Sequence, residues 1–191
     1  MPYFLDQSFP DFRQRPLLFL DFELTGLYVD RHEIIEIAAL VVRQPDWHIT
    51  SSYYTKVLPV HIATADPQSL AVAGYSPKLW TDAISLKTAL VELSALAPGC
   101  LLAGWIVQTE WTFLSAALEN AGLPYFFNQH VIEVYSLAFA HLYHQSEITH
   151  LNLATAARHF GIHLERHRPD SDIRATYEIF KIIMSGIKNP A

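Results

Sequence analysis

Residues 17–27 read Leu17-Leu-Phe-Leu-Asp21-Phe-Glu23-Leu-Thr-Gly-Leu27. The apolar run that leads into Asp21 predicts a buried strand. Side chains alternate across a strand, so the carboxylates of Asp21 and Glu23 are expected on the same side. Two anions held side by side at the end of an apolar element cost free energy unless a cation lies between them. The stretch therefore predicts a divalent metal site, with two solvated strand-end residues as the alternative.

Composition indicates one globular domain with no membrane association. The chain has 191 residues, of which 51% are hydrophobic and 17% charged, which suits a single packed core and argues against disorder. The single cysteine, Cys100, excludes an intramolecular disulfide and any cysteine-based zinc cluster. Together with the lack of a basic-then-apolar leader or a membrane-length apolar run, it predicts a cytoplasmic protein.

Net charge limits the kind of nucleic-acid binding that is open to this chain. With a net charge of −6 and only 13 Lys and Arg residues, it is poorly suited to grip long nucleic acid through many phosphates. A protein that binds only a chain end through a bound metal remains compatible with this charge.

Hydrophobic patterns predict three neighbouring strands, followed by strands that alternate with helices. This order favours an α/β fold with a mixed sheet flanked by helices. Residues 1–16 are expected to form an N-terminal arm and 17–191 the domain, with 59–84 irregular. The predicted strands are 17–22, 34–43, 51–58, 101–105 and 131–134, and the predicted helices are 86–96, 109–121, 135–144, 150–160 and 171–186.

A second polar group, His167-Arg-Pro-Asp-Ser-Asp172, lies near the C-terminus. Pro169 disfavours a helix before it, and Asp170 or Ser171 can cap the helix that follows. His167 is then expected on a loop and Asp172 in the first helical turn. Histidine titrates near neutral pH, which suits general-base work. The alternative is a surface histidine and an acid that balances the helix dipole.

A third acid, Glu110, stands where the predicted strand 101–105 gives way to the helix 109–121. An ordinary first-turn acid would also be favoured there by the helix dipole. Its position after a buried strand nevertheless brings a third carboxylate to a strand end, as at Asp21 and Glu23.

The order and spacing of these groups resemble the DEDDh 3′–5′ exonucleases, which have a ribonuclease H-like fold. The resemblance covers roughly residues 17–186. The first motif is continued by Glu33-Ile-Ile-Glu-Ile-Ala-Ala, and the third motif matches His167 and Asp172 with the following Ala175-Thr176. The segment Ala73-Gly-Tyr-Ser-Pro-Lys-Leu-Trp80 is also similar to the one after the family's third strand.

The second motif departs from the family pattern Gly-His-Asn-x-x-Phe-Asp-x-x-Phe-Leu. Gly104 and Phe113-Leu114 are kept and fix the register. The substituted positions are Trp105 for His, Ile106 for Asn, Thr109 for Phe and Glu110 for Asp. The carboxylate of Glu110 is thus one methylene longer than the usual one.

The resemblance implies metal-assisted hydrolysis of a phosphodiester bond. Two Mg²⁺ or Mn²⁺ ions, about 4 Å apart, would be held by four carboxylates, and all-oxygen ligation suits such hard ions. His167 would take the proton from the attacking water. The four implied metal ligands are Asp21, Glu23, Glu110 and Asp172, and the implied substrate contacts are Leu24, Thr25, Gly26 and Leu27.

The leading prediction is a 3′–5′ exonuclease that acts on single-stranded DNA, RNA or short oligonucleotides. One alternative is a catalytically degenerate exonuclease-fold module that binds nucleic acid or protein. Another is the proofreading subunit of a polymerase. The sequence leaves open whether the chain forms a homodimer or associates with a polymerase.

Overall fold

The computed structural model describes residues 11–165 and 168–187. Its centre is a five-stranded sheet. The strands span Leu17–Leu24 (β1), Ile34–Arg43 (β2), His48–Lys56 (β3), Cys100–Gly104 (β4) and Phe127–Glu133 (β5). Their order in the sheet is β3-β2-β1-β4-β5. Strands β1, β2 and β3 pair antiparallel, whereas β4 runs parallel to β1 and β5 runs parallel to β4.

Helices cover both faces of this sheet, which confirms the predicted mixed sheet flanked by helices. The helices span Pro67–Val72 (α1), Leu86–Leu96 (α2), Val107–Ala121 (α3), Val134–Leu142 (α4), Leu153–His159 (α5) and Pro169–Gly186 (α6). Helices α2 and α3 pack on one face, and α4, α5 and α6 pack on the other. Two short 3₁₀ turns lie at Phe12–Gln14 and Ile62–Thr64.

Strand β1 is buried on both faces, as its continuous apolar run predicts. Leu18 and Leu20 belong to the core under α2 and α3, and Leu17 and Phe19 belong to the core under α4 to α6. The ring of Phe19 lies 5.3 Å, centroid to centroid, from that of Phe180 on α6. By alternation, the side chains that follow Phe19 on this face are those of Asp21 and Glu23. The sheet therefore directs the acid pair toward the face that α6 covers.

Several details of the predicted elements were wrong. Strand β5, predicted at 131–134, spans Phe127–Glu133. Strand β3 starts earlier and ends before Val57, which makes only an isolated bridge with Ile84. The segment 59–84 is not wholly irregular, because Asp66 caps the short helix α1 through the amides of Gln68 and Ser69. Ile182 does not point inward.

The side chain of Ile182 is 40% exposed, whereas Ile173, Ile179 and Ile183 are buried. These three and Phe180 already fill the inward stripe of α6, so Ile182 falls on the solvent side.

The described part of the N-terminal arm begins at Asp11 and lies against the domain. Gln44 Nε2 donates hydrogen bonds to the carbonyl oxygens of Phe12 and Arg15. The Arg15 guanidinium in turn donates to the Gly99 carbonyl. Residues 1–10 lie outside the described residues, so the division into arm and domain stays a prediction. Among the described residues, no helix has both the length and the apolar character needed to cross a bilayer.

Candidate active site

Asp21 and Glu23 lie at the carboxyl end of β1, as predicted from the alternation of that strand. In the register with β2, Asp21 is opposite Ala38 and Glu23 is opposite Glu36. Burial, followed by the charges of Glu110, Asp172 and Glu23, raises the pKa of Asp21 well above its ordinary value. Burial and the charges of Glu36 and Asp172 raise the pKa of Glu23 to about 7.

Glu110 lies in the first turn of α3, and its residue is only 6% exposed. Burial and the charge of Glu133 raise its pKa to about 8, against backbone hydrogen bonds at Glu110 and Phe22 that lower it. Its Oε2 atom is buried and has no hydrogen-bond partner among the described residues. Burying a carboxylate oxygen without a hydrogen-bond donor costs free energy, so we expect this atom to bind a cation or to carry a proton.

Asp172 lies in the first turn of α6, as predicted. The predicted cap was wrong: the helix starts at Pro169 with Arg168 at the N-cap, so Asp170 is already inside the first turn. Pro169 occupies the first helical position, where its missing N–H costs nothing. Ser171 does not cap its own helix, because its hydroxyl accepts a hydrogen bond from the Glu165 amide.

The predicted general base, His167, lies outside the described residues.

The structure thus brings together the four acids that the sequence singled out, from β1, α3 and α6. Each of the other three raises the pKa of Asp21 by its charge, which places all four in one electrostatic cluster at the carboxyl ends of the parallel strands. In the part of the chain that the structure describes, no group of three or more His, Cys, Asp and Glu side chains forms a ready metal site. The all-oxygen donor set and the unpaired Glu110 oxygen nevertheless fit a hard divalent cation.

The four predicted substrate-contacting residues lie at the end of β1 and in the turn that follows it, and they differ in exposure and in hydrogen bonding. Thr25 is fully buried, and its Oγ1 accepts a hydrogen bond of 2.8 Å from the Glu33 amide. Thr25 therefore holds the turn, and its hydroxyl is already engaged. Leu24 is buried, whereas Leu27 is 77% exposed and available for contact.

Gly26 has φ of +154°, and its backbone passes directly against the ring of His32. A Cβ atom at this position would lie 2.3 Å from His32 Cε1, so only glycine fits. His32 is held there because its Nδ1 accepts a hydrogen bond from the Tyr28 amide.

A cavity of about 540 Å³ opens beside Glu23. Its walls come from the turn after β1 on one side and from α1 on the other. This volume suits a small organic ligand. The lining residues include Leu24, Leu27, Tyr28, His32, Gln68, Val72 and Thr109.

Two further acids near the site were missed at the sequence level. Glu36 on β2 is buried, accepts a hydrogen bond from the Tyr54 hydroxyl, and raises the pKa of Asp21 and Glu23 by its charge. It could have been found by pairing the two predicted strands, because that register sets it opposite Glu23.

Glu133, at the end of β5, is the second. Its carboxylate accepts hydrogen bonds from the amides of Val107 and Tyr135, and so joins the starts of α3 and α4. No local sequence pattern predicts this role for Glu133, because the segments that it connects are in contact only in the folded chain.

The sequence matches one family model over most of its length. The model is that of the RNase_T exonucleases, and the match spans residues 18–180. No curated protein is similar enough in sequence to match this chain.

Several solved structures share the fold at low sequence identity. A product-bound exonuclease I matches with a TM-score of 0.75 and 13% identity over 90% of this chain and 44% of that chain. Exonuclease I from Methylocaldum szegediense matches with a TM-score of 0.74 and 13% identity over 90% of this chain and 41% of that chain. E. coli exonuclease I with a dT13 oligonucleotide matches with a TM-score of 0.70 and 14% identity, covering 89% and 41% of the two chains. These matches confirm the predicted ribonuclease H-like fold, and this chain spans less than half the length of each structure.

Proposed function

Since this chain belongs to the RNase_T exonuclease family, we propose that it is a metal-dependent nuclease that removes nucleotides from the 3′ end of single-stranded nucleic acid. The observation that carries the proposal is the convergence of Asp21, Glu23, Glu110 and Asp172 at one end of the sheet. A fold does not retain mutually repelling, partly buried acids for stability, because each raises the free energy of ionising the others.

Divalent cations of the Mg²⁺ or Mn²⁺ type, when bound, supply Lewis-acid stabilisation of the phosphoryl group and lower the pKa of a water. Asp21 and Glu23, on one strand, would hold them from the sheet side, and Asp172 would do so from the start of α6. Glu110 would contribute its unpaired Oε2 from α3. Glu110 lies in the first turn of α3, and its extra methylene would extend the reach of its carboxylate toward the site.

His167 is proposed to accept the proton of the attacking water. It immediately precedes Arg168, the N-cap of α6, so it lies five residues before Asp172 in the chain. A histidine can be neutral at physiological pH and ready to take a proton.

The cavity beside Glu23 is proposed to receive the terminal nucleoside. Leu24 and Leu27 would contact the base or sugar, and Thr25 and Gly26 would keep the turn in the required shape. A dT13 oligonucleotide is bound to the E. coli exonuclease I that shares this fold. This supports a single strand as the substrate here, whether DNA, RNA or a short oligonucleotide.

The proposal is tested with oligonucleotides labelled at the 3′ or the 5′ end, incubated with Mg²⁺ or Mn²⁺. The 5′-labelled oligonucleotide is expected to give a ladder of progressively shorter labelled products. The 3′-labelled oligonucleotide is expected to release its label in the first step, as a mononucleotide. The Asp21→Asn protein is the matched control and is expected to lose this activity. Intact oligonucleotides with both ions at high protein concentration would refute the proposal.

A second candidate is a degenerate module that binds nucleic acid or protein without cleaving. It is favoured by the lack of a ready three-ligand group among the described residues and by the altered second motif. Association with a polymerase, or with a second copy of the chain, stays a prediction.

A further inference from the structure

Four aromatic side chains form a continuous row that the proposed chemistry does not use. We call Trp105, Tyr135, Phe139 and Tyr143 the aromatic row. The ring centroids are 5.8 Å apart from Trp105 to Tyr135, 6.5 Å from Tyr135 to Phe139 and 5.5 Å from Phe139 to Tyr143. Three of the four lie at four-residue intervals from the start of α4, so they share one side of the helix for about 12 Å.

The row begins on the face of the sheet that carries the acid pair. Trp105 follows the last residue of β4, Gly104, and packs against the core cluster that contains Phe19 and Ala103. By alternation along β1, Asp21 lies on the same face as Phe19. The Glu133 carboxylate, which caps both α3 and α4, fixes the first turn of α4 to the helix that carries Glu110.

The row becomes more exposed with distance from the acids. Tyr135 is 37% exposed, Phe139 is 47% exposed and Tyr143 is 67% exposed. Between Glu133 and Glu147, the segment 134–146 contains no Asp or Glu, although the whole chain has a net charge of −6. Phe139 and Tyr143 therefore have no carboxylate next to them in the chain, which lowers the repulsion that an anionic ligand meets at this end of the row.

We propose that the aromatic row stacks the bases of the single strand just upstream of the nucleotide being removed. The proposal rests on the proposed nuclease function and names the path by which that substrate leaves the site. Aromatic side chains accept any base on their faces, so such a row binds without sequence preference and without many phosphate contacts. This chemistry suits a chain with few cations better than an electrostatic groove does.

The test measures the binding of fluorescent single-stranded decamers and dinucleotides, with every variant in the cleavage-deficient Asp21→Asn background. Phe139→Ala and Phe139→Leu are each expected to weaken decamer binding roughly tenfold, with a smaller loss for the dinucleotide. Phe139→Trp, which keeps an aromatic face, is expected to bind the decamer as tightly as the parent. The matched control is Phe12→Ala, since Phe12 is 65% exposed and lies before the opposite end of β1.

Unchanged decamer affinity in Phe139→Ala and Phe139→Leu would overturn the proposal, while stepwise shortening by the unmodified chain would leave the nuclease function standing. Decamer binding that depends on Phe139, without any cleavage by the unmodified chain, would refute the nuclease and support the base-stacking row. If Phe139→Ala instead converts a dimer to a monomer in sedimentation and leaves binding intact, the row is a self-association surface and the proposal is wrong.

Discussion

At the scale of single residues, Glu110 decides how this site works. It is the most buried of the four acids, its Oε2 has no hydrogen-bond partner among the described residues, and its pKa is raised to about 8. Two accounts explain a longer carboxylate in the second motif. Either the longer side chain is needed to bring the carboxylate to a cation from this backbone position, or the site has lost the geometry that catalysis requires.

The Glu110→Asp substitution separates these accounts. If the reach of Glu110 matches the site, shortening the side chain by one methylene withdraws the carboxylate from the cation. The exonuclease rate is then expected to fall about tenfold or more, since each 1.4 kcal/mol of lost stabilisation is a factor of ten. Initial rates on a 5′-labelled oligonucleotide measure it, with Glu119→Asp as a control on the same helix. A rate that rises from near zero would favour the degenerate module.

The raised pKa values also predict how the stability of the metal-free protein changes with pH. Glu23 and Glu110 hold their protons to about pH 7 and 8 when folded, and release them near their ordinary values when unfolded. Between pH 4.5 and about pH 8, the folded state therefore binds more protons than the unfolded state. The contribution of these groups to the free energy of unfolding is complete below pH 4.5 and is lost as the pH rises toward 8.

We expect the melting temperature in EDTA to fall between about pH 5 and pH 8, and to fall less in Glu110→Gln, whose amide cannot ionise. Saturating Mn²⁺ should restore most of the loss in the unmodified chain, because a bound cation replaces the proton. Thermal unfolding of both proteins across this range gives the answer. Identical pH profiles for the two would show that Glu110 does not titrate as described.

At the scale of elements, the turn between β1 and β2 shapes the cavity beside Glu23, which is the proposed nucleoside site. Thr25 bonds to Glu33 across the turn and its carbonyl accepts from the Asp66 amide, which ties the turn to the start of α1. Both walls of the cavity beside Glu23 therefore depend on one buried threonine. The two-sided connection explains why a short helix of six residues has a fixed position here.

Gly26→Ala is expected to destabilise the protein by about 1–3 kcal/mol, because its φ is positive and the new methyl group meets the His32 ring. Urea unfolding measures this cost. Gly74→Ala is the matched control, since Gly74 also has positive φ (+62°) but has nothing within 4 Å of a new Cβ. The difference between the two combines the contact with His32 and the greater backbone strain of a non-glycine residue at φ +154°. Equal losses would mean that the ring moves aside freely.

The elements differed in how well the sequence predicted them. Strand β2 and helix α2 have the predicted bounds, because each has a long local pattern that needs no partner. Helix α1 was missed because six residues are too few to show a period, although Asp66-Pro67 gave a start signal.

At the scale of the whole molecule, the order of strands, helices and acids along the chain predicted the sheet. It also predicted that four acids from distant segments meet at one end of this sheet. The order of the chain did not predict a role for Glu36. This residue interrupts an apolar run, and only the pairing of β1 with β2 shows that it lies opposite Glu23. The aromatic row was likewise hidden, since the contact between Trp105 and Tyr135 joins segments 30 residues apart. Contacts that depend on packing between elements have no local sequence signal.

The acidic character of the whole chain predicts weak salt dependence. A protein that contacts few phosphates releases few counterions, so single-strand affinity should fall by less than about tenfold between roughly 50 mM and 200 mM salt. Decamer binding by the Asp21→Asn protein across this range measures the slope. A loss of a thousandfold would indicate a basic groove and would contradict binding by stacking and a metal centre.

The central claim is that Asp21, Glu23, Glu110 and Asp172 share divalent cations at the end of β1. A crystal structure of the protein soaked with Mn²⁺ and a mononucleotide tests it most directly, because anomalous scattering locates the metal independently of the protein atoms. The account predicts anomalous peaks that contact all four carboxylates, with the nucleotide in the cavity beside Leu24 and Leu27. Peaks that Glu110 does not reach, or no peak at these acids, would contradict it.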